Sequence, residues 1–180
     1  MESASPSQQQ LTNLLEHFKA GRYEDAENLA RSICQDFPKH EFAWKALGAV
    51  LGITDRKPEA VHANQTAIAL SPKDAEAHNN LGVMLQELGR LDEAEASYKQ
   101  AIKSEPDFVE AHYNLGITLK ELGRLDEAEA SYKLAIALKP DYAEAYSNLG
   151  NTLKELSRFD EAEARYIKAT TLKPDFVEAH

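Results

Sequence analysis

The chain has 180 residues, 43% hydrophobic and 28% charged, a composition that folds in water. Its formal net charge of −10 argues against a nucleic-acid partner, because binding a phosphate backbone needs a basic face. No apolar run approaches the roughly 18 residues of a membrane span, and Met1 to Gln10 lacks the apolar core of a secretory signal, so no membrane partner is expected. Cys34 is the single cysteine, which excludes an intrachain disulfide and makes a reducing, cytoplasmic compartment the expected location.

Prolines fall at 38, 72, 106, 140 and 174, each 34 residues after the last. Leu47-Gly48, Leu81-Gly82, Leu115-Gly116 and Leu149-Gly150 keep the same period, as do alanines 26, 60, 94, 128 and 162. The run Glu87 to Lys99 returns letter for letter at Glu121 to Lys133. One register held over five copies identifies an internal repeat.

In chain order, residues 1–6 are expected to be a disordered tail. Copy one spans 7–40 and is divergent: it keeps Gly21, Ala26 and Pro38 but has Asn13-Leu14 where the Leu-Gly pair should stand. Copy two, 41–74, carries Trp44, Leu47, Gly48, Ala60, Ala67 and Pro72, with Asp55 in place of a turn glycine. Copies three to five are 75–108, 109–142 and 143–176, and 177–180 begins a sixth.

Each copy reads as two helices. In copy four, Val109, His112, Leu115, Gly116 and Leu119 have helical spacing. Gly123 is a natural cap for that segment, since glycine tolerates the left-handed conformation. Leu125, Ala128, Ala135, Ile136 and Leu138 form the second segment, which Pro140 ends by pushing Lys139 out of helical geometry. Asp107, Asp141 and Asp175, each following a proline, are expected to cap the next helix. Gly82, Gly116 and Gly150 stand mid-helix, where glycine costs about 1 kcal/mol against alanine. The repeated cost predicts a close helix crossing, with Ala94, Ala128 and Ala162 as the matching small residues and Tyr98, Tyr132 and Tyr166 filling gaps between neighbouring copies. One helix pair cannot bury such a face alone, so the copies must stack.

These spacings resemble the tetratricopeptide repeat. Copy three matches its pattern as His78, Leu81, Gly82, Leu85, Ala94, Tyr98, Ala101 and Pro106; copies four and five match at the same positions. The resemblance covers residues 7 to 180 and implies an all-α fold, a right-handed α-solenoid of antiparallel helix pairs. Copies three to five are also similar to the superhelix of O-linked N-acetylglucosamine transferases, through stretches such as AEAYSNLGNTLKEL. The N-terminal part resembles bacterial repeat proteins that often carry a transferase domain downstream, and no such domain is present in these 180 residues.

The resemblance further implies that the first helix of each pair lines a groove. Its sixth positions read Thr12, Ala46, Asn80, Asn114 and Asn148, with Asn79 and Asn151 nearby. In the transferase superhelix such an asparagine ladder grips peptide backbone. An amide offers both donor and acceptor, so it can pair with a main chain whatever the side chains are. The alternative is that these asparagines bond neighbouring helices or water. Lys45, Tyr113, Lys120 and Lys154 are further groove candidates, with solvated surface as their alternative. Some members of the family clamp a chaperone's terminal carboxylate with lysine, asparagine and arginine across three copies, which needs lysine at a second position and lysine or arginine at a sixth. Glu76, Glu110 and Glu144 hold the second positions here and would repel that carboxylate, so this use is excluded.

No catalytic residue, metal site or cofactor is expected. His78, His112 and His180 share one repeat position, so translation along a stack separates them where a metal needs converging ligands; helix packing is their expected role. Asp92, Glu93 and Glu95, with their equivalents at Asp126 and Asp160, suit the positive start of second helices. Cys34 is expected to be a small buried thiol, and Trp44 a packing residue. The expected function is a non-enzymatic scaffold that binds a protein or peptide. Two other readings are the targeting arm of a larger glycosyltransferase-like enzyme, and self-association through an uncapped C-terminal end.

Overall fold

The computed structural model describes residues 5–173. Among them are ten α-helices and no strand: α1 (Gln8–Lys19), α2 (Tyr23–Asp36), α3 (Glu41–Ile53), α4 (Lys57–Leu70), α5 (Ala75–Glu87), α6 (Leu91–Ser104), α7 (Val109–Glu121), α8 (Leu125–Leu138), α9 (Ala143–Glu155) and α10 (Phe159–Leu172). The tail residues 1–4, Pro174, Asp175, His180 and the start of a sixth copy lie outside the described residues. The chain forms two compact units, Met1–Arg90 and Leu91–His180. In the first, α1 pairs with α2 and α3 with α4, and α5 packs on α3 and α4. In the second, α6 packs on α7, α7 pairs with α8, α9 pairs with α10, and α9 also packs on α7 and α8. Each unit is a short α-solenoid of antiparallel helices.

The turns inside a copy explain the antiparallel pairing. After α7, Gly123 takes φ +74°. Its N–H donates to the Lys120 carbonyl and that of Arg124 to the Leu119 carbonyl, both at 2.9 Å. This bond pair satisfies helix-end carbonyls and reverses the chain within three residues. The same bonds form after α3 and α9, where Asp55 and Ser157 occupy the left-handed region at φ 60° and 61°. Stacking therefore holds the turn even where a side chain opposes it.

The helix starts differ from expectation. The residue before α7 is Phe108 and that before α9 is Tyr142, and neither side chain caps its helix. Asp107 and Asp141 stand one residue too early to reach the first-turn N–H groups. Only the second residue after the proline has cap geometry, and copy three places an acid there: Asp74 accepts from the Ala77 N–H at 2.9 Å. At α1, Ser7 and Gln10 cap each other reciprocally, which satisfies two orphan donors at once.

Helix packing within a copy rests on a ring set against a glycine. A Cβ on Gly116 would lie 2.6 Å from Cε1 of Tyr132, and one on Gly150 2.6 Å from Cε1 of Tyr166. The expected partners, Ala128 and Ala162, are buried, but the tyrosine of the same copy is what the glycine admits. Periodicity locates small and large positions; it does not say which of them meet. A second recurring tie fixes the first helices α3, α5 and α7 to the preceding turn. Trp44 Nε1 donates to the Pro38 carbonyl at 2.9 Å. His78 and His112 set Nε2 3.0 and 2.8 Å from the carbonyls of Pro72 and Pro106; a carbonyl only accepts, so Nε2 carries the hydrogen. The two described histidines of the set thus have the helix-packing role expected.

Charged side chains staple successive second helices. Arg124 binds Glu95 of α6 at 2.6 Å and Glu127 of its own helix α8 at 2.5 Å. Arg158 binds Glu129 of α8 at 2.6 Å and Glu161 at 2.7 Å. Arg56 joins Glu27 and Glu59 in the same way. Glu95 lies beyond the first turn of its helix and is buried, so its role is this bridge and not the helix-end charge expected of it. Burial pushes the Glu95 and Glu129 carboxyls up, but bonds from Lys99 and Arg124, and from Lys133 and Arg158, outweigh it and hold both below the ordinary carboxylate range. Glu27 is lowered first by its bond to Arg31.

Two outcomes are expected. A Cβ on Gly123 would meet nothing within 4 Å, so the cost of Gly123→Ala is conformational, about 1–2 kcal/mol of stability in a urea titration. Because Glu27, Glu95 and Glu129 have lowered folded pKa values, their stabilisation is complete above the unfolded carboxylate pKa of about 4.3. It is lost as pH falls from there through the folded values. The melting temperature should therefore drop below about pH 4.3, and the drop should be shallower in Glu129→Gln.

Candidate functional site

The second unit brings six of the predicted groove residues onto the neighbouring first helices α7 and α9. Asn114 and Asn148 stand at the same position of these helices and are half-buried. Asn148 Nδ2 donates to the Tyr113 hydroxyl at 2.9 Å, which fixes the plane of its carboxamide. Beneath them, buried Thr118 and Thr152 donate to the carbonyls of Asn114 and Asn148 at 3.1 and 2.9 Å. The Tyr113 ring lies 4.8 Å from that of Tyr142 and 6.0 Å from that of Tyr132. Burial, then the Glu144 carboxylate, raise the Tyr113 hydroxyl above its ordinary range, although the Asn148 bond works the other way. Tyr113 is thus a neutral phenol that accepts from Asn148 and keeps its own proton to donate. Lys120 pairs with Glu155 at 3.0 Å, and Lys154 is exposed on the next copy.

Other candidates point inward or are occupied. Asn151 Oδ1 accepts from the Tyr166 hydroxyl at 2.8 Å, a bond within copy five that locks α10 to α9. Asn79 is buried, one residue round the helix from half-buried Asn80. Lys45 Nζ is held by Asp74 at 2.9 Å and Glu76 at 2.8 Å. Burial opposes its charge, but the two carboxylates more than compensate and raise its pKa. Lys45 therefore ties α3 to the start of α5. Cys34 is buried, and burial pushes its thiol up to about 12, so it is protonated and inert as a nucleophile.

A feature that the periodic pattern did not reveal lies in the first unit. A cleft of about 340 Å³ opens between α3, α4 and α5, with Gly52, Ile53, Val83 and Met84 along its walls and Asn64 at its base. Asn64 is fully buried and lies against Gly48, its Oδ1 2.7 Å from where a Cβ would stand. The signal was a departure from the repeat: copies three to five have Tyr98, Tyr132 and Tyr166 at this position. Among the described residues, no group of three or more His, Cys, Asp or Glu side chains could hold a metal, and no helix is long and apolar enough to cross a membrane.

Helix pairs repeating every 34 residues, each laying a first helix beside the next, define a helical-repeat scaffold of the kind used for protein–protein interaction. Family models described as Tetratricopeptide repeat match residues 63–96, 85–143 and 121–180, which together span more than half of the chain. The chain belongs to the tetratricopeptide repeat family. Among solved structures, MamA is similar over 91% of this chain and 95% of its own, with 21% identity and a TM-score of 0.82. YrrB, described as a TPR protein with an unusual peptide-binding site, is similar over 94% of this chain and 88% of its own, with 20% identity and a TM-score of 0.77. At these identities the likeness is one of fold. No curated protein matches the chain.

The tyrosines on the repeat glycines give a test of the site's construction. Tyr166 reaches Asn151, but Ile117 holds the equivalent place on α7, and the buried Tyr132 hydroxyl has no hydrogen-bond partner. Tyr166→Phe should cost about 1 kcal/mol, whereas Tyr132→Phe should be neutral or stabilising. Unfolding midpoints in urea measure both, and Ile117→Asn should make the Tyr132 hydroxyl worth keeping.

Proposed function

We propose that this chain is a protein-interaction module that holds an extended peptide segment through asparagines on the first helices of its second unit, Asn114 and Asn148, with Asn80 the candidate at the same position within the first unit. The observation that carries this reading is the placement of Asn114 and Asn148 at one position of adjacent helices, half-buried, with the Asn148 amide already oriented by Tyr113. A carboxamide with one donor committed still has a second N–H and a carbonyl oxygen. Carboxamides at one position of successive helices can match the alternating N–H and C=O of an extended backbone and are indifferent to its side chains. Tyr113 and Tyr142 add an aromatic face beside them, and Lys154 adds a charge that can select acidic side chains. The peptide-binding site named for YrrB, a protein of the same fold, is in keeping with this use.

The test is a peptide array probed with the chain and with the double variant Asn114→Ala, Asn148→Ala. Loss of two amide–backbone pairings should weaken the best peptides by about tenfold or more, with the helical circular dichroism unchanged. Equal affinity in the double variant would sink the asparagine reading and leave the scaffold fold in place.

A further inference from the structure

We propose that the cleft between α3, α4 and α5 is a socket for one tyrosyl side chain of the bound partner. The proposal rests on the reading of the chain as a peptide-binding module and names what that module selects. The repeat itself supplies the template. In copies four and five a tyrosine ring from the second helix is laid on the glycine of the first, Tyr132 on Gly116 and Tyr166 on Gly150. Copy two keeps the glycine, Gly48, but lays Asn64 on it. Asparagine lacks the ring, and about 340 Å³ stands open above it. That is the small end of the ligand-pocket range, about 300–1,000 Å³, which suits one side chain and not a cofactor.

The rest of copy two departs from its sister copies in the same direction. Gly52 replaces the long side chains Gln86, Lys120 and Lys154 found at its position, and the Met84 sulfur lies against it, 2.9 Å from where a Cβ would stand. Ile53 replaces Glu87, Glu121 and Glu155 and is half exposed, at 51%. With Val83 and Met84 the walls are apolar and the sulfur of Met84 is soft and adaptable, a good surface for a ring. At the base, Asn64 Nδ2 donates to the Ala60 carbonyl at 3.0 Å, while its buried Oδ1 has no hydrogen-bond partner. An unpaired buried carbonyl is costly, and a donor brought by the ligand relieves it once the carboxamide turns from Gly48 toward the cleft. A phenol supplies ring and donor together; phenylalanine and leucine supply only the apolar part. Glu87 borders the mouth and the chain carries a net charge of −10, so the tyrosine is best presented among cationic residues.

The full chain contains two methionines, Met1 and Met84, so methyl-13C labelling gives one reporter in the socket wall and one control. Titration with N-acetyl-tyrosinamide should shift the Met84 methyl signal saturably and leave Met1 unmoved. N-acetyl-leucinamide should bind about tenfold more weakly or worse. Asn64→Tyr fills the socket with the chain's own ring and should abolish the shift. Should that variant fold poorly, Gly52→Lys closes the mouth with the side chain copies four and five already carry, and should do the same. A Met84 methyl that does not respond, responds equally to leucinamide, or still responds when the socket is filled or closed overturns the proposal. The shift should persist in Asn114→Ala, Asn148→Ala. Failure of the socket and failure of the asparagine reading are therefore read on different signals.

Discussion

The rest of the architecture depends on the contact between a first-helix glycine and the side chain its partner helix lays upon it. A helix pair of 13 and 14 residues has too little surface to be stable alone. It gains stability only by close approach, and close approach requires that one backbone present no Cβ. Gly116 and Gly150 concede about 1 kcal/mol of helix propensity each. In return a whole aromatic ring is buried, Tyr132 being fully inaccessible. The ring then sets how far apart the two helices stand, and so where the open face of the first helix falls. The groove candidates are consequences of that spacing, because Asn114 and Asn148 stand two residues before the glycines, about 200° round the same helices and so on the face turned away from the rings.

The ion pairs act at a different level. Arg124 and Arg158 each join two second helices of successive copies. Exposed pairs of this kind add little individually, but each guanidinium here engages two carboxylates and one of these is buried. Their effect is to fix how one copy is set on the next. A face built from one residue per copy, such as Asn114 and Asn148, needs that register to be constant if it is to meet the regular spacing of an extended chain.

The fold was legible in the sequence because it is periodic. The proline spacing, the Leu-Gly pairs and the recurring alanines determine helix pairs and their number without any tertiary information. What periodicity leaves open is pairing across space. It located Gly116, Ala128 and Tyr132 but matched the glycine to the alanine, since both are small; the ring was the true partner. The cap at Asp107 failed by a single residue, since cap geometry depends on where the chain leaves the proline turn. Asn79 and Asn80 are adjacent, and neighbours on a helix point about 100° apart, which buries one and leaves the other partly open. Asn151 is polar at a groove-facing index, yet the Tyr166 hydroxyl bends it to structural use, a bond invisible without coordinates.

Function in such a molecule is written in the departures from its repeat. Where the copies agree, at the alanines and prolines throughout and at the first-helix glycines of copies two to five, the residues serve stacking, because stacking is what every copy must do. Position six changes from Thr12 to Ala46 and then to three asparagines, and no packing requirement forces that change, since all five helices form. Copy two departs most coherently: Ala49, Gly52, Ile53 and Asn64 are each smaller or less polar than the residues that copies four and five put in their places. A random loss of consensus would scatter such changes over both helices and both faces. These converge on one cleft and leave a buried carbonyl at its base unpaired. A core under selection for stability alone would close both defects with the tyrosine its sister copies already use. The cleft that copy two leaves open is therefore where a side chain from outside the chain is expected to seat.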